Sequence, residues 1–219
     1  MCISKLGQTI YGVLALTIVA LTLASMFTPG WRKINAEVKE GEDRSKIINQ
    51  TISLGIFPFS CGWELGKSEL HLNKSETDAN CQKWWENQPT YEKFVLVFMI
   101  LALLCSIAAF IWNALTFCCC IGKGFFCEDF SKKIFFVGGI FRPLPSLASA
   151  SAFLLLFALV IYYFNNDKDI EVLKAWDNIK TIEDNDISYS FFLALGAFVL
   201  CLVNCLVGSV VMSAAEKCC

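Results

Sequence analysis

The stretch FVLVFMILALLCSIAAFIWNALTF occupies residues 94–117 and contains no charged side chain. The hydrocarbon core of a bilayer is about 30 Å thick, and an α-helix of roughly 20 apolar residues crosses it. Core helices of soluble proteins seldom contain so long an uninterrupted apolar run. The stretch therefore predicts a transmembrane helix.

Three further runs of the chain have the same character. They cover residues 8–27, 144–164 and 188–212, and none contains Lys, Arg, Asp or Glu. Of the 219 residues, 56% are hydrophobic and 17% are charged, whereas soluble domains carry about a quarter charged residues. We expect an all-α membrane protein built on a bundle of four transmembrane helices. A cleaved signal peptide is the alternative for the first run, but its apolar length favours a membrane anchor.

These spans divide the rest of the chain into five segments, namely residues 1–7, 28–93, 118–143, 165–187 and 213–219. Basic residues near span ends favour the cytoplasmic side of a membrane, and long loops are left out of that count. The middle loop holds four basic residues and each tail holds one, whereas the last loop holds three among seven acidic residues. We therefore expect both termini in the cytoplasm, and the first and third loops outside the cell at the plasma membrane.

The first outside loop, residues 28–93, is the longest loop and can fold as a small domain. Apolar and polar residues alternate in it at Thr51–Ile56 and Ser68–Leu72. A period of two residues is typical of half-buried strands. We expect a small extracellular β-sheet domain formed mainly by this loop. Phe57 and Phe59 are expected in its core, with a position under the sheet or at the outer leaflet as the alternative.

Cys61 and Cys81 lie in this outside loop, where an oxidising environment favours a disulfide. Closing a loop of about 20 residues would stabilise the domain by roughly 3 kcal/mol. The loop also contains two acceptor sequons for N-glycosylation, at Asn49 and Asn73. The disulfide and the sequons both agree with an extracellular location.

Seven of the twelve cysteines are expected at the cytoplasmic face. A juxtamembrane cysteine can carry a palmitoyl chain that enters the adjacent leaflet. Five are therefore candidates for S-acylation, with free thiols as the alternative: Cys118, Cys119, Cys120, Cys218 and Cys219. A zinc site is not favoured, because paired Cys-x-x-Cys spacing is missing and the single histidine, His71, is expected across the membrane.

The composition of the spans predicts how the helices pack. Small residues recur every four positions in the fourth span, at Ala197, Cys201, Cys205, Ser209 and Ser213. Such a stripe lets a neighbouring helix approach closely. Asn204 lies near it, and we expect this side chain to form a hydrogen bond across a helix pair. Aromatic residues at the outer span ends are expected in the headgroup layer, namely Trp31, Tyr91, Tyr162, Tyr163 and Tyr189.

The sequence does not indicate an enzyme. It has no P-loop, nucleotide fingerprint or metal-ligand cluster, and a Ser, His and acid triad would have to use His71 beside the Asn73 sequon. The spans lack charged residues, which disfavours a transporter or a pore within one chain. We expect no cofactor, no metal and no nucleic-acid partner, and we expect membrane lipid around the helices.

A set of residues after the first span forms a pattern, namely Trp31, Arg32, Gly55, Ile56, Phe57, Cys61 and Cys81. The pattern resembles the W…GLW…C…C signature of the claudin superfamily. The run Val137-Gly138-Gly139-Ile140-Phe141 is similar to the one that opens the third claudin span. Four spans with a large first and a small second outside loop resemble the family as well.

Several features depart from the claudin pattern. Phe57 replaces the second Trp, an extra residue precedes Cys61, and 19 residues separate Cys61 from Cys81, about twice the claudin gap. The sequence ends in Cys218-Cys219 where claudins commonly have a Tyr-Val ligand for PDZ scaffolds. The two sequons are closer to the epithelial membrane protein, peripheral myelin and calcium-channel gamma branches. We expect a divergent member from an invertebrate such as a nematode.

The resemblance implies two functions. The first is a structural and adhesion protein at cell junctions, which binds itself or related claudin-like proteins in cis or trans and influences paracellular permeability. The second is an auxiliary subunit, similar to the gamma branch, that binds an ion channel or receptor. The sequons favour the second function, and the Pro29-Gly30-Trp31-Arg32 entry into the loop favours the first. Residues 30–93 hold nine basic and ten acidic residues, and this balance does not indicate which ions would be preferred.

Overall fold

The computed structural model describes residues 3–40, 46–57, 88–121, 143–166 and 179–218. Within these ranges the elements are, in chain order, helix α1 (Ile3–Phe27), strands β1 (Arg32–Glu40) and β2 (Lys46–Leu54), helices α2 (Thr90–Ile121) and α3 (Pro143–Asn165), strand β3 (Ile179–Ile187) and helix α4 (Tyr189–Cys218).

Each of the four helices in the described residues contains a stretch long and apolar enough to cross a bilayer. The stretches are Leu6–Phe27, Thr90–Phe117, Pro143–Asn165 and Tyr189–Ser213. Many large apolar side chains on them point outward, among them Val13, Leu206 and Phe164. Such exposure suits lipid rather than water. The expected tetraspan membrane protein is confirmed.

The strands within the described ranges form one antiparallel sheet in the order β2-β1-β3. The β1–β2 register is regular and sets apolar positions opposite one another, for example Val38 opposite Ile48. The β1–β3 register runs from Arg32 opposite Ile187 to Val38 opposite Ile179, with two irregular steps. The small sheet expected beside the helices is therefore present.

The residues that form the strands differ in part from those predicted. The strand predicted at Thr51–Ile56 is found within β2, but β2 begins at Lys46 and ends at Leu54. The β1 sequence alternates apolar and polar residues, a signal that the sequence interpretation overlooked. Strand β3 comes from the loop 165–187, whose acidic residues hide any such alternation. The strand predicted at Ser68–Leu72 lies outside the described residues.

The chain divides into two compact units. The helical unit comprises residues 1–22, 100–156 and 195–219. The sheet unit comprises residues 23–99 and 157–194, so it contains the three described strands, the last residues of α1 and α3, and the first residues of α2 and α4.

Close helix packing and hydroxyl groups organise the helical unit. The Tyr11 hydroxyl donates to the Leu144 carbonyl at 2.8 Å, inside an apolar cluster. The Ser151 hydroxyl donates to the Ala102 carbonyl at 2.8 Å and lies 2.6 Å from the Ser106 hydroxyl. Hydroxyl-to-carbonyl bonds of this kind join helices where no water competes.

The small-residue stripe of α4 is in part a packing surface, as expected. Ala197 and Cys201 are buried, and the Cys205 thiol lies 3.6 Å from the Pro145 carbonyl oxygen. Asn204 is 2% exposed, but its Oδ1 atom has no hydrogen-bond partner in the described part of the chain. The hydrogen bond predicted for the Asn204 side chain is therefore not made through this oxygen to any described residue.

Candidate functional site

Trp31 occupies the centre of the sheet unit. It is 1% exposed, and its ring contacts Tyr162 and Phe191 edge-on, with centroids 4.9 and 6.2 Å away. The indole Nε1–H donates to the Ser25 carbonyl at 2.6 Å. A buried Trp needs a partner for this N–H group, and the end of α1 supplies it.

Backbone bonds connect the Trp31 segment to both neighbouring strands. The Trp31 N–H donates to the Leu54 carbonyl at 3.1 Å, at the end of β2. The Ser188 N–H, at the end of β3, donates to the Trp31 carbonyl at 3.2 Å. Main-chain hydrogen bonds therefore join Trp31 to the ends of both β2 and β3.

Gly30 lies where the chain passes close to the first residues of α4. Its N–H donates to the Ser190 hydroxyl at 3.0 Å, and that hydroxyl is 2.6 Å from the Thr28 hydroxyl. The Ser190 N–H donates back to the Gly30 carbonyl at 2.7 Å. A Cβ atom at position 30 would overlap the ring of Tyr189. Glycine is needed here because of this close approach.

Arg32 is the first residue of β1 and is 1% exposed. Its Nε–H donates to Asn166 Oδ1 at 3.1 Å, just after α3. Its Nη2 donates to the Tyr91 hydroxyl at 2.9 Å and lies 3.4 Å from Glu92 Oε1, both in the first turn of α2. The Tyr162 phenol also interacts with this guanidinium.

Glu92 is equally buried, and a second side chain holds it. Its Oε2 accepts a hydrogen bond from Gln88 Nε2 at 2.9 Å. The same Gln88 nitrogen donates to the Ile56 carbonyl at 3.1 Å, just beyond β2. A buried charge is costly unless it is paired and hydrogen-bonded, and both charges meet this condition. We call Arg32, Gln88, Tyr91, Glu92 and Asn166 the Arg32 cluster.

The signature residues that the structure describes are brought together around this cluster. Gly55 and Ile56 are buried, and the Ile56 carbonyl contacts Gln88. Phe57, which stands where claudins have Trp, is half-buried, and its ring lies 5.2 Å from that of Phe27. Phe27 is itself 54% exposed, and the position of Phe57 in the core of the outside domain stays a prediction.

The location predicted for two aromatic residues also needs correction. Trp31 and Tyr162 are both about 1% exposed and pack on each other rather than facing the headgroup layer. Their polar groups find partners inside the protein, so they do not need the interface. Tyr163 and Tyr189, by contrast, are 59% and 47% exposed, as expected for interfacial rings.

Sequence reasoning missed Gln88, Glu92 and Asn166 as part of a site. It placed them in loops, because the second span was expected to begin at Phe94 and the third to end at Phe164. Helix α2 in fact begins at Thr90 and includes Glu92. The available signal was Glu92, two residues before the uncharged run, because a carboxylate at that position needs either water or a buried partner.

Several predicted sites are not brought into view by the structure. Cys61, Cys81, Asn73 and Phe59 lie outside the described residues. Asn49 is in β2, opposite Glu37 in the register. The acylation candidates Cys118, Cys119 and Cys120 belong to the end of α2, Cys218 ends α4, and Cys219 lies outside the described part. Within the described ranges no group of three His, Cys, Asp or Glu residues could hold a metal ion.

Two comparisons bear on this arrangement. A protein-family model described as "Tight junction protein, Claudin-like" matches residues 1–219. A comparison with curated proteins finds no significant match. The family match extends over both compact units, including the Trp31 segment and all five residues of the Arg32 cluster.

Proposed function

Because this chain belongs to the claudin-like family of tight junction proteins, which are structural membrane proteins, we propose that it acts in adhesion at cell contacts and influences paracellular permeability. The observation that carries the proposal is the Arg32 cluster. It connects the first residue of β1 with the start of α2 and with the residue after α3. The sheet is thus joined to membrane-spanning helices by buried bonds.

This connection supports adhesion for a physical reason. Trp31 and Arg32 are both buried, so the chain is held inside the protein at the point where it enters β1. A surface that is already ordered loses less conformational entropy when it binds a partner. A sheet fixed to the helices by these buried bonds would have an ordered binding surface before a partner arrives. The partners proposed are copies of this protein or related claudin-like proteins, in cis or in trans.

The charges of the sheet support a weak influence on ion passage. The exposed Lys33 of β1 is opposite the exposed Asp186 of β3 in the register. Opposite charges at such short separation largely cancel at a distance beyond a Debye length, about 8 Å at physiological salt. We therefore propose that a passage lined by this sheet discriminates little between cations and anions.

A second candidate function is an auxiliary subunit of an ion channel or receptor. The sequons Asn49 and Asn73 favour it, because a glycan at Asn49 of β2 would hinder close packing between cells. The same rigid sheet would then contact a larger membrane complex. Localisation separates the two functions.

The main experiment expresses tagged protein in non-adherent cells and measures its enrichment at cell contacts, normalised to the amount at the surface. The adhesion proposal predicts enrichment, together with altered conductance of an epithelial layer. Arg32→Met should lose the enrichment of the molecules that reach the surface, because the sheet is no longer held. Lys93→Met, an exposed neighbour of Glu92 outside the cluster, is the matched control and should keep it. An even distribution with co-purification of a channel would contradict adhesion and support the second function.

The proposed topology has a separate test. With both termini in the cytoplasm, Asn49 and Asn73 would be exposed to glycosylation, and residues Cys61 and Cys81 to oxidation. Glycosidase should shift the wild-type protein on a gel, and the double variant Asn49→Gln/Asn73→Gln should show no shift. A wild-type protein that glycosidase does not shift would argue against an extracellular location of this loop.

A further inference from the structure

The helical unit contains an open groove between α1 and α2. It has a volume of about 260 Å³ and is lined by Gln8, Thr9, Gly12, Val13, Leu16, Phe110, Asn113, Ala114 and Phe117. All of these residues belong to the candidate membrane spans Leu6–Phe27 and Thr90–Phe117. Val13 and Leu16 are 61% and 55% exposed, so the groove opens toward the surroundings of the helices, which are lipid.

Two amide side chains at this groove lack part of their hydrogen bonds. Gln8 is 0% exposed, and neither its Nε2 nor its Oε1 has a partner in the described part of the protein. Asn113 donates through Nδ2 to the Gln8 carbonyl at 3.1 Å, but its Oδ1 has no partner in these ranges. Unpaired amide atoms in an apolar environment are destabilising. These polar atoms are themselves buried, so a ligand that supplies both a donor and an acceptor would remove this cost once the amide side chains turn toward the groove.

The groove has a polar end and an apolar end. Gln8 is near the start of its span and Asn113 near the end of its own, so both amides lie toward one face of the bilayer. Leu16 is eight residues beyond Gln8, which places it about 12 Å deeper along the helix axis at about 1.5 Å per residue. The polarity therefore follows that of an amphiphile in one leaflet, with its polar end at the interface.

We propose that this groove binds a membrane sterol. A single hydroxyl group donates one hydrogen bond and accepts others, so it can donate to Asn113 Oδ1 or Gln8 Oε1 and accept from Gln8 Nε2. The rigid apolar ring system would lie along Val13, Leu16 and Phe110. None of the described residues that line the groove is charged, so a phospholipid phosphate finds no cationic partner among them. A rigid ring system also loses less conformational entropy on binding than a flexible acyl chain.

The test uses the purified full-length protein in phosphatidylcholine nanodiscs with a photoactivatable sterol. Adducts should map to peptides that contain residues 8–16 and 110–117, and excess unlabelled sterol should suppress them. Ala114→Trp fills the groove and should lower labelling about tenfold, which corresponds to about 1.4 kcal/mol. Ala108→Trp is the matched control, since Ala108 is also exposed on α2 but does not line the groove, and its labelling should equal that of the wild type.

A second variant tests the amide itself. Gln8→Leu has a similar size and removes the unpaired donor and acceptor, so thermal stability should stay equal or rise while sterol labelling falls about tenfold. Labelling that Gln8→Leu or Ala114→Trp leaves unchanged would overturn the proposal. Equal competition by ceramide or diacylglycerol would overturn the assignment to a sterol. Cross-linking of two protein copies through α1 and α2 would show that a second chain covers the groove instead.

Discussion

The sheet unit and the helical unit bury different kinds of polar group. Among the described buried residues, the sheet unit contains a charged pair, Arg32 and Glu92, and each charge contacts at least two polar groups. The buried polar residues of the helical unit are all neutral in the described ranges. Gln8, Asn113 and Asn204 have amide atoms without partners there, as does Gln88 of the sheet unit. The two buried charges thus lie where residues of several helices and strands supply hydrogen-bond partners.

The comparison shows two ways of stabilising a fold in an apolar environment. In the helical unit small side chains allow close contact, and hydroxyls bond to carbonyls of neighbouring helices. In the sheet unit, the Arg32 guanidinium has donors in several directions. It therefore fixes the start of β1 against the start of α2 and the residue after α3. Replacing a paired charge of the sheet unit by an apolar residue should therefore lower stability, whereas replacing an unpaired buried amide of the helical unit should not.

The largest effect is expected for Arg32→Met. The substitution leaves Glu92 charged and buried without its cation, and breaking a buried pair costs about 3–5 kcal/mol. We expect a much lower thermal unfolding temperature in detergent and little protein at the cell surface. The measurement is thermal unfolding monitored by fluorescence.

The double variant Arg32→Met/Glu92→Leu is the control for this pair, because it removes both charges. It should recover most of the lost stability if the uncompensated charge is the cause. A double variant as unstable as Arg32→Met would instead assign the loss to packing around the Met side chain.

Gly30→Ala should have the next largest effect in the sheet unit. The added methyl group would overlap the Tyr189 ring, and overpacking typically costs about 1–3 kcal/mol. Tyr189→Ala in the same chain removes the ring and should restore much of the loss, as a double-variant cycle would measure. Additive effects of the two substitutions would contradict the overlap as the cause.

Asn204→Leu probes the helical unit, and the opposite sign is expected. The Asn204 oxygen is buried and has no partner among the described residues, so its removal should leave stability unchanged or raise it by about 1 kcal/mol. Ser151→Ala is the contrasting variant, because the Ser151 hydroxyl donates to the Ala102 carbonyl, and it should lower stability by about 1 kcal/mol. Unfolding in detergent compares the two. A clear loss of stability in Asn204→Leu would indicate a partner for this amide.

The smallest effect is expected at the surface of the sheet. Lys33→Glu places two acidic side chains opposite each other, at positions 33 and 186, and should lower stability by about 0.2–1 kcal/mol. The loss should shrink at high salt, because the charges are exposed. The exchanged pair Lys33→Glu/Asp186→Lys should return to wild-type stability. An effect independent of salt would mean that packing, and not charge, is responsible.

The sequence predicted more of the helices than of the sheet. The uncharged runs indicate spans by length alone, whereas β3 is acidic and becomes a strand only because β1 offers it an edge. Trp31 and Arg32 were predicted as signature residues, but their burial was not. A Trp and an Arg beside a span usually suit the interface, and only the partners Ser25, Asn166 and Glu92 explain their position inside.

By itself the sequence determined the membrane class, four spans and the relationship to claudin-like proteins, because apolar length and a short motif need no knowledge of distant contacts. Only the tertiary structure decided which residues surround Arg32 and which amides lack partners. Arg32 and Asn166 are 134 positions apart in the chain and meet at 3.1 Å. Pairing of this kind depends on how helix ends and strands come together, since a buried charge is tolerated only where the fold supplies its partners.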